Sequence, residues 1–413
     1  MALDSSAADT RQTPAADELR AWLQLLETPG LGRQGARRLL AAFGDPLAVL
    51  AAGPVGWRGV VEPAVVQALQ HPPAELDALI KRTQQWLDQA TDRHVLVLGD
   101  GWYPAALLES PDPPLLLYAI GQLRLLQRPA LAIVGSRHPT AQGKETARSF
   151  AKALGATGLT VVSGLAAGID AAAHEGALDD IDAVAGDGTT DPAGRRHRGA
   201  GSTIAVVGTG LDRIYPRGNR ELALRIADHG LLLSEFSLGT PPLAQNFPQR
   251  NRIIAGLSLG TLVVEAALQS GSLITARLAS EAGREVFAVP GSIHAPQSRG
   301  CHALIKQGAK LVEDMADILT ELRLAQAPSW PAATPADEVD AAIGPLATPV
   351  QLPIDDSDDA VLNALGWSAA TLDVLQVRTG LSVSDLVVRL LTLELEGCVA
   401  RLPGELFQRV VRA

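Results

Sequence analysis

Between Leu131 and about Leu319, short apolar runs alternate with helical patterns. That alternation restricts the chain to βαβ units and a mostly parallel, doubly wound sheet. Runs at 131–134, 159–162, 203–207, 231–234, 261–264, 285–289 and 310–312 have the length of buried strands. The first of them is continuous, Leu131-Ala132-Ile133-Val134, and Gly135 follows as a tight turn. Ser136-Arg137 sit at its tip, and a helix is expected next from Ala147, Phe150, Ala151 and Leu154, ending at Gly155. Ligands of open parallel sheets lie beyond the carboxyl ends of the strands. Ser136 and Arg137 are therefore candidate anion ligands, helped by the N-terminus of the next helix.

The other strand tips add small polar residues. They read Ser163-Gly164-Leu165-Ala166-Ala167-Gly168-Ile169-Asp170, then Gly208-Thr209-Gly210-Leu211-Asp212, then Ser234-Glu235. Glu265 ends the next strand, followed by Gln269 to Thr275, where Ser272 is expected to cap a helix. Pro290-Gly291-Ser292 completes the edge. Glycines here leave room for a ligand and free amides to bind it.

Asn246-Phe247-Pro248-Gln249-Arg250-Asn251-Arg252 combines an aromatic, two arginines and an asparagine, as in a stacking platform beside a phosphate track. The alternative for Phe247 is a helix-entry staple. From Pro248 to Lys310 seven Lys/Arg face three Glu, a local charge of +4 within a chain of net charge −10. This asymmetry fits a nucleic-acid site.

At 413 residues the chain exceeds one ordinary core. A disordered tail is expected at 1–16 and a helical domain at 17–90. In that domain Pro29-Gly30-Leu31-Gly32 before an amphipathic helix reads as a helix–hairpin–helix or as a plain helix–turn–helix. The stretch 95–121 reads as a connector entering the main domain. Gly186 to Gly201, rich in Gly, Asp and Arg, reads as a flexible insertion. Residues 324–360 hold six prolines and seven carboxylates with no Lys or Arg, an acidic linker. Helices then a hairpin over 361–413 point to a winged helix, either a protein module or a DNA reader. Arg389, Arg401, Arg409 and Arg412 do not choose between them.

No apolar run reaches the roughly 18–20 residues of a membrane helix, and the polar N-terminus lacks the core of a signal peptide. Cys301 and Cys398 lie far apart without metal-ligand spacing, so a reducing cytoplasm is expected. Cofactor motifs fail on spacing. Gly208-Thr209-Gly210 lacks the third glycine of the dinucleotide fingerprint, and Gly143-Lys144 is followed by Glu145 rather than Ser or Thr. His174 reads as a helix residue bounding the pocket. No nucleophile–base–orienter set emerges, so neither an enzyme nor a cofactor is expected.

Several segments together resemble the DprA (Smf) family of DNA-processing proteins. They are IVGSR at 133–137, SGLAAGIDAAAH at 163–174, GTGLDRIYP at 208–216, FPQRNRIIAGLS at 247–258, VVEA at 263–266, SGSLITA at 270–276 and FAVPG at 287–291. The resemblance implies an extended Rossmann-like core at 95–322, a small N-terminal SAM or helix–hairpin–helix-like domain and a C-terminal winged helix. It implies a homodimer that binds single-stranded DNA, protects it and loads RecA onto it in natural transformation. Gly135, Ser136 and Arg137 fall on the family's phosphate-gripping turn. Ser163, Gly164, Gly168, Phe247, Arg250, Asn251 and Arg252 fall on its other DNA-facing motifs, and Ser272 and Thr275 on hydroxyl contacts. Ala167 replaces a lysine common in relatives, and Gly300-Cys301-His302 replaces a glycine-x-asparagine. The competing class is a phosphoribohydrolase-like nucleotide enzyme, which would need a PGGxGT signature that the chain lacks.

Overall fold

The computed structural model describes residues 13–184, 203–293, 295–322, 359–365 and 369–410. Residues 1–12 of the expected tail, the 186–201 insertion and 324–358 of the expected linker lie outside the described residues.

Five helices come first: α1 (Ala16–Glu27), α2 (Gly32–Phe43), α3 (Pro46–Trp57, bent at Gly53), α4 (Pro63–Leu69) and α5 (Leu76–Asp88). Leu19, Trp22, Leu23, Leu39, Leu76 and Trp86 bury their apolar stripes against one another. The same cluster continues into Val95, Leu116 and Tyr118, so this helical unit shares its core with the sheet.

The sheet is built from β1 (Arg93–Val97), β2 (Leu116–Gly121), β3 (Ala130–Val134), β4 (Thr160–Ser163), β5 (Thr203–Val206), β6 (Leu231–Ser234), β7 (Gly260–Val263), β8 (Glu285–Ala288) and β9 (Lys310–Leu311). Its order is β1-β2-β6-β5-β4-β3-β7-β8-β9. All seven expected strands are present, and those from β6 through β9 pair in parallel. The expected connector differs: 93–121 carries the antiparallel pair β1–β2, which joins the edge of β6. Interruption by Tyr103-Pro104 and Pro111–Pro114 hid two otherwise apolar strands.

Alternate residues of β3 serve opposite faces. Leu131 and Ile133 enter one cluster with Phe150, Leu154 and Ile169, whereas Ala130, Ala132 and Val134 enter another with Ile253 and Ile254. Burial on both faces explains why the run carries no polar residue.

The intervening helices are α6 (Ala105–Leu108), α7 (Ala141–Ala156), α8 (Ile169–Val184), α9 (Arg220–His229), α10 (Asn246–Leu257), α11 (Ser272–Glu281), α12 (Arg299–Lys306) and α13 (Met315–Leu322). The chain runs from β3 through β4 and β5 to β6, then returns to place β7 on the other side of β3. The strand order therefore reverses beside β3, where ligand crevices form in such sheets.

The C-terminal domain holds α14 (Ala360–Leu365), β10 (Ala370–Thr371), α15 (Leu372–Thr379), α16 (Val383–Leu395), β11 (Val399–Leu402) and β12 (Leu406–Arg409). Its strands pair in the order β10-β12-β11, a winged helix. Thr371 and Ser382 cap α15 and α16 through their side chains. Among the described residues no single helix is long and apolar enough to cross a membrane.

Candidate nucleic-acid interface

Gly135 and Gly168 set the floor of the strand-tip edge. A side chain on Gly135 would run into Ile169 and the Glu265 carbonyl. One on Gly168, whose φ is +90°, would strike the Ser136 carbonyl. The two loops therefore pack backbone to backbone, with Ile169 N–H donating to Ser136 O at 3.1 Å. Ser136 N–H donates to Glu265 O at 2.6 Å, and its hydroxyl accepts from His138 N at 3.1 Å. Arg137 is left exposed at the turn's apex.

The expected help from the next helix N-terminus is not there. Thr140 caps α7, accepting from Gly143 N at 3.0 Å, and Glu265 occupies the remaining donors of Thr140. A carboxylate already sits where an anion would enter.

The loop after β4 is likewise committed internally. Gly164 N and Ala166 N donate to Asp170 Oδ2 at 3.2 and 3.4 Å, and Leu165 N donates to His174 Nε2 at 3.3 Å. Ser163 is fully buried and donates to Ile133 O at 2.6 Å. These groups were expected to face a ligand. They instead satisfy the sheet end, because buried amides and carbonyls must be paired.

Arg250 belongs to the same scaffold. It is buried, with its guanidinium on the carbonyls of Gly164 and Val206, and Asp170 Oδ2 lies 4.0 Å away. Gly164 has no room for a side chain because that guanidinium fills the space. Burial lowers the arginine to about 10, against the pull of Asp170, and burial raises Asp170 against Arg250 and its two amides. Asn251 accepts from Arg250 Nε at 2.9 Å and donates to Gly271 O at 3.4 Å.

Arg252 points the other way, into an ionic cluster between α2 and the sheet. Its guanidinium pairs with Glu235, lies 3.2 Å from Asp112 Oδ2 and donates to Asp112 O at 2.7 Å. Arg33 reaches Asp112 at 2.8 Å and Glu235 at 3.7 Å, and Arg37 also pairs with Asp112. Burial raises the Glu235 carboxyl against these arginines. Two arginines of the helix–hairpin–helix candidate, Arg33 and Arg37, thus turn toward the core, while Arg38 is exposed.

Ser272 and Thr275 are buried on α11. Ser272 is the first helical residue rather than the cap, and its hydroxyl pairs with that of Ser270 at 2.7 Å. Of the basic residues counted over 248–310, Arg250 and Arg252 are held inside, and Arg284 is half-buried on the carbonyls of Ser258 and Ala106. Arg277 pairs with Glu281 at 3.5 Å and Lys310 with Glu321 at 2.5 Å. The local charge of +4 is therefore mostly spent within the fold.

What remains on the surface is a smaller group. Phe247, the second residue of α10, joins none of the core clusters. Its half-buried ring lies against Gly208, with the Arg137 guanidinium 5.8 Å from the ring centroid. Tyr215 lies 5.4 Å from it, centroid to centroid. Asn246 fixes the start of α10 by donating to Gly208 O at 3.1 Å. Exposed Arg213 and Arg217 continue the loop around Tyr215, and exposed Arg220 starts α9. This loop was legible as a motif but carried no periodicity to mark it as surface.

An exposed cation beside a half-buried aromatic, on a preorganised strand-tip edge, is the pairing expected for a phosphate and a base. The family model for DNA recombination-mediator protein A matches residues 94–323, and that for the DprA winged helix domain matches 331–405. The chain belongs to the DprA family. It is 42% identical over 320 residues to Protein Smf of Escherichia coli (strain K12), covering 77% of this chain and 78% of the relative. It is 46% identical over 222 residues to DNA processing protein DprA of Streptococcus pneumoniae (strain ATCC BAA-255 / R6), covering 54% and 72%. The solved structure of DprA from Streptococcus pneumoniae superposes with a TM-score of 0.59 at 37% identity, covering 75% of this chain and 99% of that one.

Proposed function

We propose that the chain binds single-stranded DNA across Arg137 and Phe247, protects it, and as a homodimer loads RecA onto it in natural transformation. The observation that carries the binding step is the exposed Arg137 guanidinium set over the half-buried Phe247 ring. Arg137 grips a phosphate and Phe247 stacks a base; a duplex keeps its bases paired and cannot use the ring. Gly135 and Gly168 hold the turn that presents Arg137. Ser136 keeps a half-exposed hydroxyl beside it. Ser163, Gly164 and Arg250 are the scaffold beneath, Asn251 ties α10 to the loop before α11, and Arg252 anchors α10 to the helical domain. Ser272 and Thr275, being buried, act in packing rather than in DNA contact.

The mediator role is supported by the family to which residues 94–323 belong. For the winged helix, protein contact fits better than DNA reading. Arg389 pairs with Asp359, Arg401 lies 5.8 Å from the Phe407 ring and Arg409 is buried. Its helices meanwhile expose Val377 (86%), Val388, Leu391 and Leu395 (82%).

The test is fluorescence anisotropy with a labelled oligothymidine and a labelled duplex of equal length. Preference for the single strand, lost in Phe247→Ala at a temperature where that variant is folded, is expected. Equal affinity for both, unaffected by the change, would contradict the proposal.

A further inference from the structure

The Phe247 ring has a neighbour that the binding step above does not use. Tyr215 lies in the loop joining β5 to α9, 44% exposed, with its ring tilted 42° to that of Phe247. Large aromatics are costly to leave on a surface, and two of them side by side form a continuous apolar strip. The loop that carries Tyr215 is held at several points. Asp212 Oδ1 accepts from Gly239 N at 2.8 Å, and Thr209 Oγ1 donates to Arg213 O at 3.3 Å. Beyond the ring, Asn219 Nδ2 donates to Leu165 O at 2.9 Å. A ring fixed in this way pays little entropy on meeting a flat ligand.

The surroundings of Tyr215 are cationic. Arg213 and Arg217 are exposed in the same loop, and Arg220 at the start of α9. Asp212, 3.9 Å from Arg213, is the one carboxylate between Leu211 and Arg220. A strand leaving Phe247 in this direction meets an aromatic face for its next base and positive charge for its next phosphates.

We infer that Tyr215 is a second stacking platform, holding the nucleobase adjacent to the one on Phe247. This rests on the single-strand reading above and extends it to two consecutive bases. Stacking needs the π-face and not the hydroxyl, so the ring is the working part.

Four variants at position 215 are compared by anisotropy on a short labelled oligothymidine, with thermal melts of each and Phe247→Ala alongside. Tyr215→Ala and Tyr215→Leu are expected to weaken binding by about five- to a hundredfold, whereas Tyr215→Phe and Tyr215→Trp retain it. The slope of affinity against salt stays at the wild-type value, since no phosphate contact is lost. Leucine keeps bulk against Phe247 without a π-face. Wild-type affinity in Tyr215→Leu, with loss in Tyr215→Ala, would make Tyr215 a packing support and overturn the inference. So would wild-type affinity in both, with loss confined to Phe247→Ala, and the single-strand reading would then survive. Unchanged binding in Tyr215→Ala, Tyr215→Leu and Phe247→Ala alike would remove the whole edge and with it the proposed function.

Discussion

Glu265 and Thr140 hold each other across the sheet edge: Oε1 accepts from the Thr140 hydroxyl at 2.6 Å and Oε2 from its amide at 2.9 Å. Gly143 lies so close that any side chain there would strike the carboxylate. The strand tip of β7 is thereby tied to the start of α7, directly after the Arg137 turn. The carboxylate does structural work that an anionic ligand would do in a nucleotide-binding sheet.

Glu265→Ala is accordingly expected to destabilise the protein by about 1–3 kcal/mol, the cost of leaving charge-assisted donors unpaired. Single-strand affinity should persist in the folded variant. Urea unfolding followed by circular dichroism, beside anisotropy, reads both. Unchanged stability would mean that the cap contributes nothing.

A larger loss is expected at the junction between the helical domain and the core. Glu235 is buried against Arg252 and Arg33, and its removal leaves the buried Arg252 guanidinium with the half-buried Asp112 as its remaining partner. Breaking such a pair costs about 3–5 kcal/mol. Arg37→Ala, at the more exposed side of the cluster, is expected to cost less. Melting temperatures of Glu235→Ala and Arg37→Ala in one buffer check the order; the reverse order would place the junction's strength at Asp112.

Stability should also fall in acid through His174. The imidazole is fully buried, with Nδ1 2.7 Å from Thr203 Oγ1, and burial then Arg250 push it down to about 3. The unfolded chain takes up this proton near pH 6.5. Between about pH 6.5 and 3 the unfolded state therefore binds more protons than the native one. The stabilisation is complete above that window and is lost as pH falls through it. Urea midpoints at about pH 7 and pH 4.5 are expected to fall more steeply in the wild type than in His174→Asn. Because Asp170 is common to both proteins, its opposite shift cancels in the comparison. Parallel losses would assign the acid sensitivity elsewhere.

The sheet was legible because its central strands are buried on both faces, which forces unbroken apolar runs such as Leu131–Val134. β1 and β2 escaped because the proline-rich turn between them breaks the periodicity. The candidate site was legible as a set of segments but not as a surface. Arg250 and Arg252 lie only two positions apart, yet on α10 that rotation sends one under the β4 and β5 tips and the other into the Glu235 cluster. Sequence spacing gives a side chain's chemistry, and only packing decides whether its charge is spent inside. Tyr215, Asn246 and Glu265 were missed for the converse reason. Each lies within a quoted motif, but its role depends on a partner tens of residues away.

The central claim is that Arg137, rather than the buried arginines, meets the phosphate. The direct measurement is the salt dependence of oligothymidine binding for Arg137→Ala against wild type. Losing one phosphate contact should weaken affinity and reduce the slope of log affinity against log salt by about 0.7, with the melting temperature unchanged. An Arg137→Ala protein with the wild-type slope and affinity would contradict the account.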